Sequence, residues 1–181
     1  MGGERRNLEL KARDSDPARS LRVCGELGAE DQGVLLQQDT YFNVLQGRLK
    51  LRQEEGASAH LIAYERPDAA AQKVSRYRIV EVEDAASLKE ALAGALGVAA
   101  VVKKSRRLFC FEGVRIHLDS VEGVGDFIEF EGVAGSDEED LRRFETSLYD
   151  LRRSFGIEDA DLIGESYGDL VAKNLHSACN T

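Results

Sequence analysis

The segment Arg48-Leu49-Lys50-Leu51-Arg52 sets three cations at one phase of a period-two alternation and two leucines at the other. Successive side chains of a strand point to opposite faces, so this segment reads as a strand with one charged and one apolar face. Arg115-Ile116-His117-Leu118-Asp119 and Ile128-Glu129-Phe130-Glu131 repeat the pattern. So does Asn7–Arg13, with Leu8, Leu10 and Ala12 against Asn7, Glu9, Lys11 and Arg13. Arg76 and Arg78 stand two apart, as do Lys104 and Arg106.

Such strands allow an ordinary sheet, apolar inside and solvated outside, or an inverted one. The helical segments favour inversion. Leu88, Ala91, Leu92, Ala95 and Leu96 follow a helical period, as do Leu141, Phe144, Leu148, Leu151 and Phe155 between Ser136 and Phe155. These stripes need an apolar surface. If they coat the outside of a closed sheet, the charges face inward. A lumen lined by cations alone would repel itself. Cations together with Glu129 and Glu131 suit a lumen that holds a polyanion and a hard divalent cation.

The remaining strand-like stretches are Gln37–Val44, His60–Arg66, Ser75–Val82 and Ala99–Arg107. Asp16-Pro17 caps a helix running to about Gly28, Asp84 caps another, and a short helix spans Tyr167–Leu175. The expected fold is α+β: a closed or nearly closed antiparallel β-barrel of about eight strands, with helices packed outside. The 181 residues fit one domain, with a core over 7–172 and a polar tail over 173–181.

Composition narrows the function. A net charge of −9 argues against a general nucleic-acid binder. No apolar run reaches the ~18 residues of a membrane span, and the opening residues have no apolar signal region. Arg6 stands where N-myristoylation prefers Ser or Thr. Cys24, Cys110 and Cys179 fit neither a zinc pattern nor a disulfide framework, so a cytoplasmic setting is expected. No Gly-rich P-loop, Ser–His–Asp order or HExxH motif is present.

Several pieces together resemble a known family. Asn7-Leu8-Glu9-Leu10-Lys11 is similar to the ExExK strand of the CYTH superfamily, the triphosphate tunnel metalloenzymes, with Asn7 replacing the first acid. Gln38–Phe42, Gly47–Arg52, Ser75–Arg78, Lys103–Arg107 and Val114–Val121 follow in the family's order. Gly123–Glu131 resembles its late LGxFxEIE strand, and Ser166-Tyr167-Gly168-Asp169-Leu170 its SYxDL segment. The wording is nearest the class IV adenylyl cyclase-like and thiamine triphosphatase branch.

The resemblance implies a tunnel in which Glu9, Asp119, Glu129 and Glu131 hold Mg²⁺ or Mn²⁺. Lys11, Lys50, Arg52, Arg66, Arg76, Arg78, Lys104 and Arg106 would then clamp phosphates, with Arg48 close to that set. Glu9, Lys11, Glu129 and Glu131 are the expected catalytic group. His117 is expected to be satisfied by a nearby acid rather than to accept a proton, and Tyr41 to pack in the core. Tyr167 would close the tunnel or touch a base. The expected substrate is a small triphosphate, tripolyphosphate or thiamine triphosphate, hydrolysed at its terminal phosphate. Conversion of ATP to cyclic AMP and pyrophosphate is the alternative, and binding without turnover a third. The resemblance also allows a homodimer.

Overall fold

Eight strands close into one antiparallel barrel in the order β1-β5-β4-β3-β2-β6-β7-β8, with β8 pairing back onto β1. The computed structural model describes residues 5–134 and 138–178. The strands are β1 (Arg5–Arg13), β2 (Glu30–Phe42), β3 (Arg48–Glu54), β4 (Ala59–Glu65), β5 (Lys73–Val82), β6 (Val98–Phe111), β7 (Val114–Val121) and β8 (Gly125–Ala134). The helices are α1 (Pro17–Glu26), α2 (Ala85–Leu96), α3 (Glu138–Phe155) and α4 (Tyr167–Ala178). A 3₁₀ turn spans Asp159–Asp161.

The sheet is inverted, as the alternation implies. Outward-facing Leu8, Leu10, Ile116, Ile128 and Phe130 pack against Phe144, Leu148, Leu151 and Phe155 of α3. Each fully buried Leu or Phe contributes about 1.5–3 kcal/mol. A smaller cluster seats Leu88, Leu92 and Ala93 of α2 on Phe42, Leu51 and Ala59. A third closes one end of the barrel. There Tyr167 and Leu170 of α4 meet Tyr41, Val102, Val121 and Phe127.

Local chemistry fixes the connections. The β6–β7 turn is Glu112-Gly113 with φ of 49° and 80°, the pair of left-handed residues that a tight hairpin requires. Asp16 accepts from Arg19 N at 2.9 Å and Asp84 from Ser87 N at 3.0 Å, so both expected caps form.

Several bounds differ from expectation. β2 starts at Glu30 and β6 runs to Phe111, because Glu30–Leu36 pairs with Ser105–Cys110 past the end of β3. Those residues carry no clean alternation in sequence. α4 runs to Ala178, so most of the expected tail is helical. Ser136, Cys179 and the opening residues lie outside the described residues.

Gly132 lets α3 approach β8. A Cβ there would lie 2.4–2.8 Å from atoms of the Phe144 side chain. Gly132→Ala is therefore expected to destabilise the fold by about 1–3 kcal/mol, read as a lower midpoint in urea unfolding. An unchanged midpoint would show that α3 is free to shift.

Candidate active site

The barrel encloses a cavity of about 250 Å³ whose lining is mostly polar side chains. β2, β3 and β6 form a cationic wall around one carboxylate. Asp39, only 1% exposed, accepts from Arg52 Nε and Nη2, both at 2.7 Å, and from Lys50 Nζ at 3.0 Å. Lys104 Nζ lies 3.6 Å from the same carboxylate. Burial opposes its ionisation, but Arg52, Lys50 and Lys104 hold Asp39 well below the usual carboxylate range. Burial, then Arg52, pushes Lys50 down to about 8. Burial and Arg106 push Lys104 well below the usual lysine range.

β1, β7 and β8 form the acidic wall. Cross-strand register sets Glu9 beside Glu131, and Lys11 and His117 on either side of Glu129. Glu129 lies 3.6 Å from Lys11 Nζ, 3.7 Å from Arg106 Nη2 and 3.8 Å from His117 Nδ1. Burial opposes the Glu129 charge, yet Lys11, His117 and Arg106 together keep its carboxyl well below the ordinary range. Glu131 accepts from Asn7 Nδ2 at 2.5 Å and from Arg115 Nη1 at 3.4 Å. Glu9 accepts from Arg66, which reaches in from the end of β4. His117 is buried between Glu129 and Glu131, and burial lowers its basicity.

The floor is the start of α4. Tyr167 donates to Asp119 at 2.8 Å, and its ring centroid lies 4.0 Å from Lys11 Nζ and 5.2 Å from Lys104 Nζ. Ser166 and Asp169 cap the helix reciprocally, through Ser166 N to Asp169 at 3.0 Å and Asp169 N to Ser166 Oγ at 3.1 Å. Gly168 is needed for closeness, since a Cβ would lie 3.0 Å from the Tyr41 ring. The SYxDL segment is thus a cap, a floor and a contact in five residues.

Lys11, Lys50, Arg52, Arg66, Lys104, Arg106, Glu9, Glu129 and Glu131 all line the cavity. Three expected residues do not. Arg76 and Arg78 are exposed on the outer face of β5, whose inner face carries Lys73, Ser75 and Tyr77. Register decides this, because Asn7 pairs with Ser75 and places Arg76 opposite Arg6. Asp119 is buried beside the lumen with both oxygens engaged. Arg106 Nε and Nη2 reach it at 2.6 and 2.5 Å, and Tyr167 binds it too. Although burial opposes it, Arg106 and Lys104 lower Asp119 to about 2. Asp119 is thus the ion-pair partner of Arg106, with Tyr167 as its second partner. Arg48 binds Asp68 at 2.8 Å and Asp169 at 3.1 Å, outside the cavity lining. Tyr41 lines the cavity as well as packing.

Asp39 and Lys73 were not anticipated. Asp39 shares the inner phase of β2 with Gln37 and Tyr41, a signal open to the sequence. Lys73 precedes the expected start of its strand. It donates to Ala69 O, Ile163 O and Gly164 O at 3.4, 3.3 and 2.9 Å, and burial pushes it down to about 8.

The CYTH domain profile matches residues 5–167. The chain belongs to the CYTH family. That family is associated with hydrolysis and cyclisation of triphosphates and generally uses divalent metal ions. Among solved structures, PH1012 from Pyrococcus horikoshii OT3 is similar at 26% identity, covering 91% of this chain and 99% of that one, with a TM-score of 0.79. An adenylate cyclase candidate from Vibrio parahaemolyticus shares the fold at 22% identity, over 92% and 97% of the two chains, with a TM-score of 0.73. HpAC1 from Hippeastrum, an adenylyl cyclase candidate described with a dominant triphosphatase activity, shares it at 17% identity. Its coverage is 93% and 95%, and its TM-score 0.63. Comparison with curated proteins gives no significant match. Among the described residues, no helix of this CYTH chain is long and apolar enough to cross a membrane.

Buried lysines leave a mark on stability. The unfolded chain holds these protons up to the ordinary lysine value of 10.5, whereas folded Lys50 and Lys73 release theirs near 8. The unfolded state therefore binds more protons between those values, and these lysines make the ligand-free protein more stable as pH rises from about 8 toward 10. Thermal melts across that range should rise more in wild type than in Lys50→Met. Parallel curves would show that Lys50 titrates normally in the folded state.

Proposed function

We propose that the protein hydrolyses the terminal phosphate of a small triphosphate, with thiamine triphosphate and tripolyphosphate as candidate substrates. One observation carries the reading. Lys11, Lys50, Arg52, Lys104 and Arg106 converge on one cavity that also holds Glu9, Glu129 and Glu131. A floor at Tyr167 makes the phosphate tail enter first and lie deepest, beside Lys11 and Lys104. These cations neutralise the bound charge and orient the chain for attack by water on the terminal phosphorus. The bridging P–O bond breaks, and orthophosphate and the shortened phosphate chain leave. Positioning and electrostatics are the main requirements of phosphoryl transfer.

The acidic wall fits a hard divalent cation in its donor chemistry. Glu9, Glu129 and Glu131 supply carboxylate oxygens on one face, and the buried Asn7 Oδ1 has no hydrogen-bond partner. Among the described residues no three acidic, His or Cys side chains are already gathered around one point. Each of these carboxylates is instead paired with a neighbouring side chain. Mg²⁺ or Mn²⁺ held by Glu9, Glu129, Glu131 and Asn7 would stabilise charge developing on the transferred group.

Leu35, Ile62, Ile79 and Leu108 also line the cavity, and Ile79 is 36% exposed. This aliphatic lining suits an organic group attached to the triphosphate, and so favours thiamine triphosphate over the inorganic chain. It also suits a nucleoside, which keeps adenylyl cyclase as the second reading.

The test is product analysis with tripolyphosphate, thiamine triphosphate and ATP, each with Mg²⁺ and Mn²⁺. Orthophosphate is expected, with kcat falling about a hundredfold or more in Glu129→Gln. Cyclic AMP and pyrophosphate from ATP would favour the cyclase. Tight binding without product would make the cavity a receptor.

A further inference from the structure

We propose that Asp39 is the positioning residue of the phosphate-binding wall: a buried counter-ion that keeps Lys50, Arg52 and Lys104 converged on the cavity, ready for a polyanion. The proposal rests on the reading of the cavity as a triphosphate site.

Geometry carries it. Asp39 belongs to β2, Lys50 and Arg52 to β3, and Lys104 to β6, so three strands meet at one carboxylate. Register places Asp39 directly opposite Arg52. Its two oxygens accept three hydrogen bonds at 2.7–3.0 Å, with Lys104 3.6 Å away. With both lysines protonated, three cations on one carboxylate leave an excess of two positive charges. Lys50 and Lys104 also retain donors beyond those directed at Asp39, because an ammonium has three. A carboxylate at this point lowers the mutual repulsion of the wall yet cannot neutralise it. Asp39 does not line the cavity itself, so it acts through the residues that do.

The same arrangement governs the charge of the lysines. Lys50 faces Arg52 on its own strand, Asp39 and Tyr41 on β2, Tyr64 on β4 and Arg106 on β6. Lys104 faces Arg106 on its own strand, Asp39, Arg52, Asp119 of β7 and Tyr167 of α4. Burial and the neighbouring arginines favour the neutral amines, whereas Asp39 favours the ammonium forms. Removing the Asp39 charge therefore moves the loss of protons from Lys50 and Lys104 to lower pH.

Calorimetric titration of tripolyphosphate, with no metal added, tests this without relying on turnover. Asp39→Asn is expected to weaken Kd about tenfold at pH 7, and the alkaline weakening of Kd should begin about one pH unit lower than in wild type. A merely structural role would leave the pH at which weakening begins unchanged. Asp39→Glu supplies a second arm that stands if Asp39→Asn fails to fold. It keeps the charge but displaces it, so Kd should weaken while the alkaline weakening begins at the wild-type pH. A folded Asp39→Asn with wild-type affinity and pH onset overturns the proposal, as does Asp39→Glu with wild-type affinity or with an onset at lower pH than wild type. Failure of the wild-type protein to bind tripolyphosphate at any pH would instead overturn the reading of the site.

Discussion

The structure depends on balancing charge inside a closed sheet. Burying an unpaired ion costs several kcal/mol, so a lumen this polar forms only if each charge meets a partner as the strands close. The barrel meets that condition through register. Asp39 sits opposite Arg52, Arg106 opposite Asp119, and Glu129 between Lys11 and His117. The apolar complement faces outward, and α3 and α2 cover much of it. Fold and site are two faces of the same strands, so a slip of one residue would destroy both.

Balance in the empty lumen also defines what the lumen can take. The cationic wall holds more positive charge than Asp39 offsets, and the acidic wall supplies oxygen donors beside it. A triphosphate and a divalent cation complement those two walls. Membership of the CYTH family agrees with this chemistry, while the aliphatic part of the lining bears on which triphosphate the chain accepts.

Much of this was legible in the sequence. The alternation in Arg48–Arg52, Asn7–Arg13 and Arg115–Asp119 gave two-faced strands, and the helical stripes told which face was outside. Alternation does not give absolute phase, however. Arg76 and Arg78 share a face, but only pairing of β5 with β1 and β4 shows it to be the outer one. Nor does sequence say which cation a buried carboxylate meets: Asp119 meets Arg106 because the two lie directly across the β6–β7 ladder. Asp39 carried a readable phase, but its importance arises from two neighbouring strands, β3 next in the chain and β6 far from it in sequence. Lys73 was hidden because its partners are backbone carbonyls of the β4–β5 loop and the segment before α4.

The central claim is that the inward charges form a polyanion site. A crystal structure of the protein with bound tripolyphosphate tests it most directly. The account predicts phosphate oxygens within hydrogen-bonding distance of Lys11, Lys50, Arg52, Lys104 and Arg106, with the chain's end toward Tyr167. Phosphate bound instead at the outer face of β5, around Arg76 and Arg78, would contradict it.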